Sequence, residues 1–143
     1  MLSQSLSKRD DGLRFGADDP SDTATFGDLA HTFDVIINTV SANLDTDAYL
    51  TLLRLDGVMV NAGITAEASS FHVPLLGDSR GIITATKNGS ISGNQEMLDF
   101  CAQHGIRAEI ETIPAHQAGK ALERLDKGDV RYRFVIDAST PSA

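Results

Sequence analysis

The chain has 143 residues, with 12 Lys and Arg against 20 Asp and Glu and a formal net charge of −8. That length suits one domain able to bury a core, and the acidic balance argues against a nucleic-acid or anionic-membrane partner. No apolar run approaches bilayer length, no signal-peptide core opens the chain, and a single cysteine, Cys101, excludes an internal disulfide, so a cytoplasmic, reducing setting is expected.

In chain order, residues 1–7 read as the end of an element, and a helix is predicted over 8–15, closed by Gly16. Residues 18–25 are polar with one proline and read as a loop. A single helical turn is expected over 26–30. Val35, Ile36 and Ile37 do not alternate with polar residues, which predicts a strand buried on both faces. Leu44, Ala48, Leu52 and Leu55, with Tyr49 and Leu53, recur at helical spacing, and Gly57 stops that helix. Val58, Met59 and Val60 form a second buried strand. Residues 33–63 therefore predict a parallel strand–helix–strand crossover on which the rest of the chain is organised.

After Gly63 the chain reads as irregular to Arg80, and the β-branched stretch 82–86 predicts a third strand. Residues 89–93 read as a loop, with Asn94 capping a helix that runs to His104 with Met97, Leu98 and Cys101 on its apolar face. Gly105 stops it. Residues 106–114 alternate as a half-exposed strand, 115–127 read as a helix with Ala118, Ala121, Leu122 and Leu125 on one side, and 132–137 read as a closing strand. The tail 138–143 is expected to fray. The order of elements predicts an α/β class.

Ligands of open α/β sheets bind at the carboxyl ends of strands. Those ends are here expected at Thr39 to Ser41, Asn61 to Gly63, Thr86 to Asn88 and, if Met1 and Leu2 finish a strand, at Ser3, Ser5 and Lys8. An acidic residue in that last position accepts from a ribose 2′-hydroxyl; hydroxyls and an ammonium group suit a 2′-phosphate instead. The same residues equally open a helix and face water, the commoner role for such a stretch. Gly63 allows close approach of a ligand to the backbone, or is a plain turn glycine. Residues 89–93 match neither dinucleotide nor P-loop spacing. Arg131 and Arg133 share a strand face and are either an anion contact or surface charge. Cys101 and His104 sit at i, i+3, but zinc needs three or four converging ligands, so a buried thiol beside a surface imidazole is the simpler reading. No catalytic or metal motif occurs, and the residues alone describe a nucleotide-binding-like α/β chain without catalytic machinery.

Three long stretches, FDVIINTVSANLDTDAYLTLLRLDG, QEMLDFCAQHGI and DVRYRFVIDAS, resemble in the right order the cinnamyl-alcohol-dehydrogenase branch of zinc-dependent, medium-chain alcohol dehydrogenases. LSQSLSK at the start extends the resemblance over nearly the whole chain. It implies an incomplete Rossmann-type parallel sheet with a C-terminal β-α-β return segment. On that pattern, residues 1–105 are a partial NADP-binding domain whose first strand and glycine-rich turn are absent. Residues 106–143 belong with a catalytic domain that is also absent. The implied activity is NADP-dependent interconversion of primary alcohols and aldehydes by hydride transfer, with the chain alone inactive. Zinc serves the complete family enzyme and is not bound by this chain.

Residue by residue, the resemblance carries the 2′-phosphate contact onto Ser3, Ser5 and Lys8 and the cofactor groove onto Thr39 and Val40. It brings Gly63, Thr86 and Asn88 to the nicotinamide end and makes Arg133 a pyrophosphate contact. No catalytic residue is carried over. The family's strand between Gly16 and Phe33 is doubtful because that stretch is short. Gly93 and Asn94 stand where the family has Glu-Thr, and Asn61 and Ala62 interrupt an apolar strand end. The strand at 35–40 is expected to be an open edge prone to self-association, and residues 82–86 match the segment that pairs across the family's dimer axis. The alternative is a non-catalytic nucleotide-binding or oligomerisation module.

Overall fold

The computed structural model describes residues 1–3, 6–18 and 21–140, with side chains omitted at 21–25. Ser5, residues 19–20 of the expected loop and residues 141–143 of the tail lie outside that set. The chain divides into two compact units, residues 1–88 and 89–143.

In the first unit, β1 (Leu2–Ser3) leads into α1 (Arg9–Arg14) and then β2 (Ser21–Asp22), which pairs parallel with β1. The strand doubted between Gly16 and Phe33 is thus present, though only two residues long. Gly16 follows α1 at φ +91°, the left-handed geometry that ends a helix. A 3-10 stretch, Thr23–Leu29, leads to β3 (Phe33–Asn38), α2 (Thr46–Leu50), β4 (Leu53–Asn61), α3 (Val73–Ser79) and β5 (Ile82–Ala85). These strands form a parallel sheet in the order β3-β4-β5. The predicted crossover and third strand are therefore both present.

The crossover helix is much shorter than its leucine spacing suggests. Asp45 caps it, its carboxylate accepting from the Ala48 N–H at 3.2 Å, and α2 ends at Leu50. Leu52 and Leu53 are buried at the entry to β4 instead, joining Leu50, Ile36 and Met59 in the core. Each such fully buried side chain contributes about 1.5–3 kcal/mol. Gly57 terminates no helix: it lies inside β4, where Phe33 pairs with Leu53 but Val35 pairs with Val58, so the intervening residues bulge. A Cβ on Gly57 would lie 2.9 Å from the Arg54 carbonyl oxygen. Asp56 in the bulge adopts φ +64° and pairs with Arg80, whose Nε donates to Oδ1 at 2.8 Å.

β3 is not buried on both faces. Ile36 is 8% exposed, whereas Val35 and Ile37 are 55% and 67% exposed on the opposite face. The unbroken apolar run is real, but among the described residues only one side of this strand meets the core. The stretch read as irregular contains α3, which starts with Pro74 in its first turn and ends at Arg80 in the left-handed region.

The second unit contains α4 (Ile91–His104), β6 (Ile110–Pro114), α5 (Ala118–Asp126) and β7 (Arg133–Asp137), with β6 and β7 parallel. This is the expected β-α-β segment. Ser90, rather than Asn94, caps α4, its Oγ accepting from the Gly93 N–H at 3.0 Å. Most of the supposed loop at 89–93 is therefore the first turn of the helix. Gly105 at φ +65° and Gly128 at φ +67° end the two helices. Met97 and Leu98 on α4 are half-exposed.

Candidate functional site

The carboxyl ends of β3, β4 and β5 lie side by side because the three strands are parallel and in register, Asn38 opposite Asn61 and Asn61 opposite Ala85. The Asn38 side-chain amide donates to Asn61 Oδ1 at 2.9 Å, and its own Oδ1 accepts from the Val40 N–H at 2.9 Å. These two asparagines turn the end of an otherwise apolar sheet into a polar rim. Asn61, an interruption in the apolar pattern, is satisfied there by a neighbour rather than exposed as a defect.

Gly63 has a definite structural reason. The N–H groups of Ala62 and Gly63 both donate to the Asn38 carbonyl, at 2.8 and 3.0 Å. A Cβ on Gly63 would sit 2.1 Å from the Val40 carbonyl oxygen. The glycine lets the β4 exit pass against the β3 exit at Thr39 and Val40, which brings these three candidate residues together. Thr86 joins the same rim, its N–H donating to the Asn61 carbonyl at 2.9 Å, and Asn88 follows in the exposed connection after β5. A small polar recess of about 250 Å³ opens here, lined by Asn38, Thr46, Asn61, Gly63, Thr65 and Ser69 among others. Of these, Asn61 stands at an expected strand end, whereas Asn38, the last residue of β3, and Thr46, the first residue of α2, carry no motif and were not singled out by the sequence.

Ser3 is the last residue of β1, and Lys8 is the N-cap position of α1. The segment from Ser3 to Lys8 contains no carboxylate. Asp10 and Asp11 follow in the first turn of α1, and Arg14 engages Asp11 at 3.1 Å. The strand exit is thus furnished with hydroxyl and ammonium groups, and Ser5 between them lies outside the described residues.

Arg133 begins β7 in the second unit, beside an apolar groove that includes Ile113, Leu122 and Ile136. Arg131 does not share its strand: it precedes β7, and its N–H donates to Glu111 Oε1 at 2.7 Å. Cys101 is only partly buried and its Sγ lies 3.7 Å from Met97 Sδ, while His104 packs its ring on Phe100. Among the described residues no three His, Cys, Asp or Glu side chains converge as a metal site, and no helix is long and apolar enough to cross a membrane.

Elsewhere in the first unit, His72 and Asp47 form an exposed pair that ties the start of α3 to α2. The hydrogen bond from His72 holds the Asp47 carboxyl below its ordinary range, and the same bond raises the imidazole.

No protein-family profile matches the sequence. The chain is 51% identical over 146 residues, covering 98% of its length, to NADP-dependent alcohol dehydrogenase C 1 of Mycolicibacterium smegmatis. It is 50% identical over 143 residues to a probable formaldehyde dehydrogenase of Bacillus subtilis. The chain spans about 41% of the length of these curated relatives. A solved cinnamyl alcohol dehydrogenase from Sorghum bicolor superposes with a TM-score of 0.94 at 37% identity, covering 99% of this chain and 42% of that one. The fold is accordingly the α/β, Rossmann-type arrangement of parallel strands found in these dehydrogenases.

Proposed function

We propose that this chain, which resembles the cinnamyl-alcohol-dehydrogenase branch of zinc-dependent alcohol dehydrogenases along its whole length, forms part of the NADP-binding side of an enzyme interconverting primary alcohols and aldehydes. One observation carries the reading. β1 delivers Ser3 and then, without an intervening carboxylate, Lys8 at the start of α1, the donor set that a 2′-phosphate requires and a 2′-hydroxyl does not. The similarity to an NADP-dependent relative supports it.

NADP, when bound, supplies the hydride chemistry. This chain's residues bind and orient it. Ser3, Ser5 and Lys8 take the 2′-phosphate. Thr39, Val40 and Gly63 form the groove floor, where the β3 and β4 exits meet. Thr86 and Asn88 approach the nicotinamide end, and Arg133 contacts the pyrophosphate. The described residues do not fit a zinc site, so no step is assigned to a metal here. The 143-residue chain has no turnover of its own. The same family reading makes β5 the dimer strand; it is an edge of its sheet and Ile82 is exposed there.

The test is a fluorescence or calorimetric titration of the chain with NADPH and NADH. Weak binding that favours NADPH and weakens about ten-fold or more in Lys8→Ala supports the reading, since a charge-assisted contact is worth about 1.5–3 kcal/mol. Absence of NADPH binding favours a structural module instead.

A further inference from the structure

Glycine directly follows Asp or Asn at Asp11–Gly12, Asp56–Gly57 and Asn88–Gly89. At such a pair the glycine backbone nitrogen can attack the carbonyl carbon of the preceding side chain, because no Cβ hinders the approach and the backbone turns freely to make it. The fold restrains the first two. The Gly12 N–H donates to the Lys8 carbonyl at 3.0 Å, and Gly12 lies within α1. Asp56 lies within β4, where the hydrogen bond from Arg80 holds its carboxyl below the usual range and so in the ionised form, which resists a nucleophile. Asn88–Gly89 has no comparable restraint. Residues 86–90 belong to no helix or strand, and Asn88 and Gly89 are exposed to the water that the chemistry consumes. The Thr86 N–H still donates to the Asn61 carbonyl, and the α4 cap begins at Ser90. Among the described residues, neither the Asn88 side chain nor the Gly89 N–H has a hydrogen-bond partner. The remaining asparagines precede Thr39, Leu44, Ala62 and Gln95, all with a Cβ, and Asn38, Asn43 and Asn61 are held by side-chain hydrogen bonds.

We propose that Asn88 is a site of spontaneous covalent modification, converted through a cyclic imide with Gly89 to aspartate and isoaspartate. The Gly89 nitrogen bonds to Asn88 Cγ, the Cγ–Nδ2 bond breaks, and ammonia leaves with the proton that the Gly89 amide gives up. Water then opens the imide. Cleavage of the new Cγ–N bond leaves aspartate on an ordinary backbone, and cleavage of the original peptide C–N bond leaves isoaspartate, with the chain running through Cγ. No oxidant, metal or cofactor is consumed. Either product adds one negative charge to the formal −8 of the chain. Isoaspartate also lengthens the backbone by one atom just ahead of the Ser90 cap of α4. Loss of the amide proton starts the sequence, so its rate rises with pH.

The experiment ages the 143-residue chain in mildly alkaline buffer, with and without urea. Peptide mapping by mass spectrometry follows Asn88, and methyl labelling by an isoaspartyl carboxyl methyltransferase detects isoaspartate at residues 11, 56 and 88. Expected is conversion of Asn88 in the folded chain at nearly its rate in urea, while folding slows isoaspartate formation at Asp11 and Asp56 about ten-fold or more. Gly89→Ala is expected to slow conversion of Asn88 about ten-fold or more. Its Cβ would lie 3.0 Å from Asn94 Oδ1, the far end of a flexible side chain, so the fold can accept it. An Asn88 that stays intact in buffer yet converts in urea overturns the proposal. So does equal conversion in Gly89→Ala, or isoaspartate forming at Asp11 and Asp56 as fast in buffer as in urea. No nucleotide enters the experiment, so failure here is distinguishable from failure of the cofactor reading.

Discussion

Gly63 shows how a single residue can hold a strand exit together. With its Cβ position 2.1 Å from the Val40 carbonyl, Gly63→Ala forces the β3 and β4 exits apart. Overpacking of this kind costs about 1–3 kcal/mol, and the urea midpoint is expected to fall accordingly. The sequence flagged this glycine as a turn or as a place of close approach. The approach is real, but it is backbone against backbone, which spacing alone could not distinguish from backbone against ligand. The His72–Asp47 pair sets a pH window. Asp47 contributes stability above its ordinary pKa, lost as pH falls through its depressed one. His72 contributes below its ordinary pKa, and that contribution is lost as pH rises through its raised one. The pair is therefore fully formed only between those limits. Followed by NMR, the His72 ring is expected to titrate above 6.5 and to move back toward that value in Asp47→Asn; an unchanged midpoint contradicts the pairing.

At the scale of elements, the helix caps can be tested singly. Ser90→Ala removes the acceptor for the Gly93 N–H and is expected to cost about 1 kcal/mol in thermal unfolding of the chain, whereas Asn94→Ala costs little. The order of strands and helices was legible because β-branched runs and terminal glycines mark strands and helix ends directly. Boundaries were less so where leucines cluster. Leu50, Leu52 and Leu53 are all buried, yet only Leu50 belongs to α2, since a run of buried leucines satisfies a helix stripe and a buried strand entry alike. Replacing Leu52 by Ala is expected to destabilise by about 2–5 kcal/mol through the cavity it leaves. Helix α3 escaped notice because it is short, with a proline in its first turn and Gly77 inside. The exposure of Val35 and Ile37 was invisible for a different reason: an apolar run records what a strand can bury, not whether its covering partner is present.

For the whole molecule, the parallel sheet, the polar rim at its carboxyl end and the carboxylate-free exit of β1 are the features on which the proposed reading, recognition of a phosphorylated dinucleotide, rests. The candidate residues of the first unit were legible as strand ends, because α/β topology puts loops after strands at one edge of the sheet. Their assignment to NADP came from resemblance, which the relatives match over 41% of their length. Titration of the chain with NADPH against NADH, repeated for Lys8→Ala, tests this most directly. Preference for NADPH that disappears with the Lys8 ammonium is the expected result. Equal affinity for the two nucleotides, or no binding of either, contradicts it.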